Sequence, residues 1–87
     1  MRLEKQPALA IEVGEMFAAQ CRAARALLNW TQADIAKAAG CSEQLVRKYE
    51  KDGPRSGGAT AMLRDAFEQA GIRFPINDDG FGVMRLK

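Results

Sequence analysis

Two helix entries with a glycine between them constrain the fold of this 87-residue chain more than any other feature. Thr31 is followed three residues later by Asp34, a variant of the capping box in which side chain and backbone satisfy each other's hydrogen-bonding groups. Ser42 can cap a second helix, since its hydroxyl accepts from a backbone amide of the first turn. Gly40 lies where the first helix must end in a left-handed residue. The stretch from Thr31 to Glu50 therefore predicts two short helices joined by a tight turn.

Apolar residues at helical spacing indicate that these two helices pack against each other. The first helix offers Ile35 and the small Ala36, and the second offers Val46 and Tyr49. The other side of the second helix carries polar and charged residues, namely Glu43, Gln44, Arg47, Lys48 and Lys51. This division is typical of a helix-turn-helix whose second helix lies in the major groove of DNA.

The stretch from Cys21 to Glu50 resembles the phage-repressor and Cro-like (Xre-type) helix-turn-helix family of transcriptional regulators, and the similarity extends more loosely to Gly71. Residues at fixed spacing carry it: Gln32, Ala36, Gly40, Val46, and the Arg25 and Glu50 that this family often pairs. The resemblance implies a mainly α-helical fold, a four- to five-helix repressor-like DNA-binding domain, and a function in binding rather than in catalysis.

One small domain accounts for the helical part of the chain, since 87 residues are too few for two. Residues 1–11 include Pro7 and lack clear periodicity, so we expect an N-terminal arm there or an extra helical turn. The spacing of apolar residues predicts a first helix from about Glu12 to Leu28 and a last helix from Ala59 to Ala70. With the motif helices these form the expected DNA-binding domain, residues 12–71.

The last segment, residues 72–87, alternates apolar and polar side chains around Asn77-Asp78-Asp79-Gly80 and predicts a C-terminal β-hairpin. Pro75 has no N–H, so its strand must lie at an edge or meet no partner there. A two-stranded hairpin is marginal alone, so its apolar face must pack on the helices of the same chain or on a second subunit. The hairpin is therefore a candidate dimerisation element.

On the family pattern the second motif helix enters the major groove by its N-terminal end. The residues that would meet base edges are Glu43, Gln44, Leu45 and Lys48. Hydrogen-bonding geometry suits Gln44 to adenine, Lys48 to guanine and Glu43 to the N4 amine of cytosine. Leu45 stands where the family usually has a hydrogen-bonding residue, so it either touches a thymine methyl group or packs against the protein.

Phosphate contacts are implied for Gln32, Ser42, Arg47, Lys51 and Arg55. Arg25 and Glu50 are expected to pair with each other and to brace the first helix against the end of the second motif helix. The net charge of the chain is only +2, but the positive excess lies in residues 20–55. The distribution of charge therefore agrees with a DNA-binding motif.

The composition argues against catalysis. The sequence has no histidine and no nucleophile elbow, phosphate loop or paired-carboxylate motif, so we predict no enzyme activity, no cofactor and no metal site. Cys21 and Cys41 lie on predicted apolar faces and act either as small buried hydrophobes, which we favour, or as a redox switch. Without a secretory signal or a long apolar run, we expect a cytoplasmic protein with reduced thiols and no membrane association.

These features predict a sequence-specific transcriptional regulator, expected to be a repressor, that inserts helix 42–50 into double-stranded DNA as a homodimer. The alternative is an antitoxin-like or adaptor module, in which a similar helical domain binds another polypeptide. The exposed polar face of the second motif helix favours the first hypothesis, whereas the small net charge and the apolar C-terminal segment leave room for the second.

Overall fold

The computed structural model describes residues 5–53 and 58–86, with side-chain positions for residues 17–53, 58–75 and 78–86. Within these residues the helices are α1 (Lys5–Leu28), α2 (Gln32–Ala39), α3 (Glu43–Asp52) and α4 (Ala59–Gln69). The strands that follow are β1 (Ile72–Arg73), β2 (Ile76–Asn77), β3 (Gly80–Phe81) and β4 (Met84–Arg85). The fold is mainly α with short antiparallel strand pairs at its C-terminal end, and the predicted fold class is confirmed.

Helix α1 begins earlier than the sequence predicted. For residues 1–11 the sequence leaves open an arm or an extra helical turn, and the chain is helical from Lys5 onward, so the described part of that range agrees with the helical alternative and α1 starts before the expected Glu12. The reason is that Pro7 falls in the first turn, where a missing N–H removes no intrahelical hydrogen bond and the fixed φ angle suits a helix.

Local capping defines the ends of the two motif helices. The Thr31 hydroxyl accepts from the Asp34 amide at 3.1 Å, and the Thr31 amide donates to the Asp34 carboxylate at 2.8 Å, so the predicted capping box is confirmed. The Ser42 hydroxyl accepts from the Leu45 amide at 3.1 Å at the start of α3. Gly40 ends α2 with φ at 75°, in the left-handed region.

A single apolar core lies under all four described helices and extends into the C-terminal segment. Its buried members are Phe17, Ala18, Cys21 and Ala24 of α1, Ile35 and Ala36 of α2, Val46 and Tyr49 of α3, Leu63, Ala66 and Phe67 of α4, and the later Ile72 and Phe74. Burial raises the pKa of the Cys21 thiol to about 12, so this thiol stays protonated and packs as a small apolar group. Cys41 is half-buried, and burial raises its pKa as well.

Aromatic rings connect the C-terminal segment to the helices. Phe17 meets Tyr49 and Phe74 edge-on, with ring centroids 5.9 and 5.0 Å apart respectively. Phe67 contacts Phe74 and stacks on Trp30, each at 6.1 Å. Burying such a ring contributes roughly 1.5–3 kcal/mol to stability. The C-terminal segment is therefore part of the folded domain and not an appendage to it.

The four short strands are two parts of one hairpin. One antiparallel register relates both strand pairs: Ile72 faces Arg85, Arg73 faces Met84, Ile76 faces Phe81 and Asn77 faces Gly80. The turn lies at residues 78–79, within the predicted turn. The ladder is interrupted where Pro75 faces Gly82. The Gly82 amide donates to the Pro75 carbonyl at 2.9 Å, but proline has no N–H with which to return the hydrogen bond.

Gln20 of α1 replaces the hydrogen bond that Pro75 cannot make. Its side-chain amide, on a residue only 7% exposed, donates to the Gly82 carbonyl at 2.7 Å. Two arginines of the hairpin make similar contacts with helix ends: Arg85 donates to the Leu27 carbonyl and Arg73 to the Glu68 carbonyl, each at 3.1 Å. These carbonyls lie in the last turns of α1 and α4, where cations and donors are favourable.

We predict that Gln20→Ala lowers the free energy of unfolding by about 1–3 kcal/mol, because the Gly82 carbonyl is left without its donor. Urea denaturation followed by circular dichroism measures the effect. The matched control is Gln69→Ala. Among the described residues the exposed Gln69 amide bonds only to Asp65 one turn away, so its change should stay below about 0.5 kcal/mol.

A Pro75→Ala background separates this explanation from a general packing defect. Alanine restores an N–H opposite Gly82, so Gln20→Ala should cost markedly less in that background than in the natural chain. Equal costs in both backgrounds would show that the Gln20 hydrogen bond is not a substitute for the missing ladder bond.

Candidate nucleic-acid interface

The motif helices place one side of α3 in the core and the other at the surface. Val46 is 1% exposed and Tyr49 4%, and they pack with the buried Ile35 and Ala36 of α2. Side chains on the outer side are exposed: Glu43, Gln44, Arg47, Lys48 and Lys51. The hydroxyl-capped N-terminal end of α3 lies at one end of this outer side.

A network centred on Glu50 fixes the C-terminal end of α3. The two carboxylate oxygens of Glu50 accept from Arg25 Nε at 2.7 Å and Nη2 at 2.9 Å, a two-point pairing. Arg25 also donates to the Trp30 carbonyl at 3.2 Å, and Arg22 donates to the Glu50 carbonyl at 2.5 Å. The carboxylate side chain is 5% exposed and the Arg25 side chain 21%. The sequence-predicted pair is thus brought together, and it lies mostly out of solvent.

The hydrogen bond to Glu50 raises the pKa of Arg25 above its ordinary value, so this guanidinium is charged at every accessible pH. Gln32 joins the same network, because its side-chain amide donates to Glu50 at 3.1 Å. The family resemblance implies a phosphate contact for Gln32, and in the structure this side chain also has an intramolecular partner. The amide nitrogen carries two N–H donors, so this bond still leaves room for a second acceptor.

Glu43 and Arg47 pair with each other across one turn of α3. Arg47 Nη1 lies 3.2 Å from Glu43 Oε2, and the two side chains are 54% and 50% exposed. Sequence reasoning missed this ion pair because it assigned each residue separately to DNA. The spacing of four residues, with the acid nearer the helix N-terminus, was the signal that could have revealed it.

The remaining predicted contact residues differ in what they touch. In the described part of the chain, no hydrogen bond or ion pair engages the exposed Gln44, Lys48 or Lys51 side chains. Leu45 is half-buried and borders an open cleft of about 370 Å³ between α3 and the start of α4, lined also by Ser42, Gln44, Lys48, Tyr49, Gly53 and Ala59. Arg55 lies outside the described residues.

The geometry of α2, the glycine turn and α3 agrees with the comparison with known families. Residues 22–60 match the family model described as Helix-turn-helix. This segment is therefore similar to helix-turn-helix domains of the Xre and phage-repressor type. The match includes the end of α1, the whole of α2 and α3 and the start of α4, and it confirms the resemblance predicted from the sequence. No curated protein matches the chain.

The match to the helix-turn-helix family supports a function as a DNA-binding regulator, and members of this family are not typically enzymes. Within the residues that the structure describes, no group of three His, Cys, Asp or Glu side chains could hold a metal ion. In the same part of the chain, no helix combines the length and the apolar character that a membrane span requires.

We predict that Glu50→Ala lowers the free energy of unfolding by about 1–3 kcal/mol, since it leaves Arg25 partly buried without its carboxylate. Chemical denaturation checks the value. Glu68→Ala is the control, because Glu68 pairs with Arg64 on an exposed turn of α4 and such a pair contributes less than about 1 kcal/mol. Equal losses in the two variants would contradict a special role for Glu50.

Proposed function

We propose that this protein is a sequence-specific transcriptional repressor that inserts α3 into the major groove of double-stranded DNA as a homodimer. The observation that carries the proposal is the outer face of α3. Gln44 and Lys48 are exposed there without a partner among the described residues, on a helix whose two ends are fixed by the Ser42 cap and the Glu50 network. Polar groups held on a rigid helix are suited to base recognition.

Gln44 and Lys48 are the best-supported base contacts, because both lie in the first two turns of α3, at the N-terminal end that enters the groove. Gln44 suits adenine, and Lys48 suits guanine. The Leu45 side chain is half-buried, at the border between the buried and the outer side of α3. Its exposed part would contact a thymine methyl group. Glu43 is the fourth candidate, and its carboxylate would accept a hydrogen bond from the N4 amine of cytosine.

Phosphate contacts are proposed for Ser42, Arg47, Lys51 and Arg55, and for the N-terminal end of α2 at Gln32. The Ser42 hydroxyl can still donate to a phosphate, because in the α3 cap its oxygen only accepts a hydrogen bond. These contacts would set the position of α3 on the duplex without reading its sequence. Lys51 is exposed one turn beyond Arg47 and is suited to this role.

A homodimer is proposed because one helix reads too few base pairs for specific regulation, and two-fold pairs of such helices lie about 34 Å apart on DNA. The C-terminal hairpin is the candidate contact. Its inner residues Ile72 and Phe74 are used in the core of their own chain, whereas Met84 and Leu86 on the other face are 47% and 45% exposed. The same exposed apolar groups favour the second candidate function, a module that binds another polypeptide.

Selection of bound sites from a random duplex pool, followed by titrations at several salt concentrations, tests the proposed function. We expect paired, two-fold related half-sites and binding that weakens steeply with salt. Lys48→Ala should weaken the selected site about 5- to 100-fold and relax the preference at one base position. Lys51→Ala should weaken all duplexes alike and reduce the salt slope by about 1. Binding that is absent or insensitive to salt would overturn the proposal in favour of a protein partner.

Met84→Glu tests the hairpin as the dimer contact. We expect it to lower the sedimentation-derived mass from dimer toward monomer, since a carboxylate cannot be buried in an apolar interface without a partner. Met62→Glu is the matched control on the exposed side of α4, where Met62 is 38% exposed. Truncation after Gly71 is unsuitable, because it would remove the core residues Ile72 and Phe74. An unchanged dimer in Met84→Glu would exclude this interface.

A further inference from the structure

The ion pair between Glu43 and Arg47 lies on the same face of α3 that we propose for DNA. Its N···O distance is 3.2 Å, and both side chains are about half exposed, at 50% and 54%. Glu43 is the first residue of α3, so its carboxylate stands at the end of the helix that enters the groove. A phosphate that approaches Arg47 must therefore compete with a carboxylate that already occupies the guanidinium.

We propose that Glu43 sets the sequence specificity of this protein by holding Arg47 in a neutral pair that only a cognate site releases. The inference rests on the proposed function and adds a mechanism to it. On a cognate site, a cytosine N4 amine donates to the Glu43 carboxylate, and Arg47 turns to a phosphate. On other sequences the carboxylate has no such donor, so the pair persists and Arg47 contributes little to binding.

The electrostatics of non-specific binding explain why this arrangement discriminates. Almost all of that binding comes from cations that neutralise phosphates and release counterions, independently of sequence. A guanidinium paired with a carboxylate carries no net charge and releases no counterion until the pair breaks. An exposed pair of this kind contributes only about 0–1 kcal/mol, so one good donor from a base edge offsets its loss. On other sequences the release of Arg47 would leave the Glu43 carboxylate unpaired beside phosphates, and this repulsion keeps the pair closed.

The positions of the neighbouring charges support the assignment to Glu43. Gln44 and Lys48 flank the pair on the outer face and have no partner among the described residues, so they do not compete for either member. Glu50, near the C-terminal end of α3, is 6% exposed and is already bound by Arg25 and Gln32. Glu43 is thus placed to neutralise Arg47, and Glu50 is not.

Glu43→Gln is the test, measured on a generic duplex and on the site selected by the wild type. The glutamine keeps the size of the side chain and removes its charge. Affinity for the generic duplex should rise about three- to tenfold at 0.1 M salt, with the salt slope steeper by about 0.9, as expected for one additional phosphate contact. Affinity for the selected site should change less than about twofold, so the ratio between the two sites falls.

Two controls isolate the pair from a change in net charge. Glu68→Gln breaks the similar pair on α4, where Arg64 Nε lies 3.1 Å from Glu68 Oε2, and should leave generic binding within about twofold of wild type. Adding Arg47→Gln to Glu43→Gln should return the generic affinity and the salt slope to wild-type values. Thermal unfolding should remain cooperative in each variant, because the Ser42 cap of α3 is intact.

The outcomes separate the two proposals. If the wild type binds and selects a site but Glu43→Gln leaves generic binding unchanged, the role of Glu43 is overturned and the proposed function stands. If Glu43→Gln strengthens both duplexes equally, the pair screens charge without setting specificity, and the inference is also overturned. A wild type that binds no duplex overturns the proposed function and the inference together.

Discussion

The buried carboxylate of Glu50 is the interaction on which the arrangement of the motif depends. A carboxylate that is almost completely removed from water needs several donors, and here Arg25 supplies two and Gln32 a third. Arg25 belongs to α1 and Gln32 to α2, so satisfying one charge fixes both helices against the end of α3. The apolar contacts under α3 would permit small sliding movements, whereas the two-point geometry between Arg25 and Glu50 does not. The outer face of α3 is consequently presented in one orientation.

The C-terminal hairpin is also held by a side-chain donor of a helix that satisfies an otherwise unpaired acceptor. Its apolar inner face fills the core, but its polar backbone would be left incomplete by Pro75. Gln20 supplies the missing donor, and the hairpin in turn supplies Arg85 and Arg73 to carbonyls that no helix can satisfy internally. Side chains of each element therefore bond to the backbone of the other, because Gln20 of α1 donates to the hairpin and Arg85 of the hairpin donates to α1. The hairpin thereby packs on α1 through β4 and on α4 through β1.

The features that could be predicted from the sequence are those whose partners lie within one helical turn. Thr31 with Asp34, Ser42 and Gly40 defined both motif helices because capping depends on residues three or four positions apart. The pair Arg25 and Glu50 spans 25 positions and was accessible only through the family resemblance. The bond from Gln20 to the Gly82 carbonyl spans 62 positions and ends on a backbone atom, which no side-chain pattern records. Pro7 was misleading for a different reason, since proline ends a helix from within but is tolerated in its first turn.

The small net charge of +2 reflects ion pairs within the motif. Within the motif, Arg25 is committed to Glu50 and Arg47 is paired with Glu43, so two of the cations that the sequence offers are neutralised inside the chain. Each paired cation adds nothing to counterion release, so the salt-dependent part of the proposed DNA binding must come from cations without such a pair among the described residues, such as Lys48 and Lys51. In the function that we propose, hydrogen bonds to base edges add to this binding, and they depend on correct geometry. A rigid α3 is therefore a requirement for such a protein, and the Glu50 network is the part of the fold that meets it.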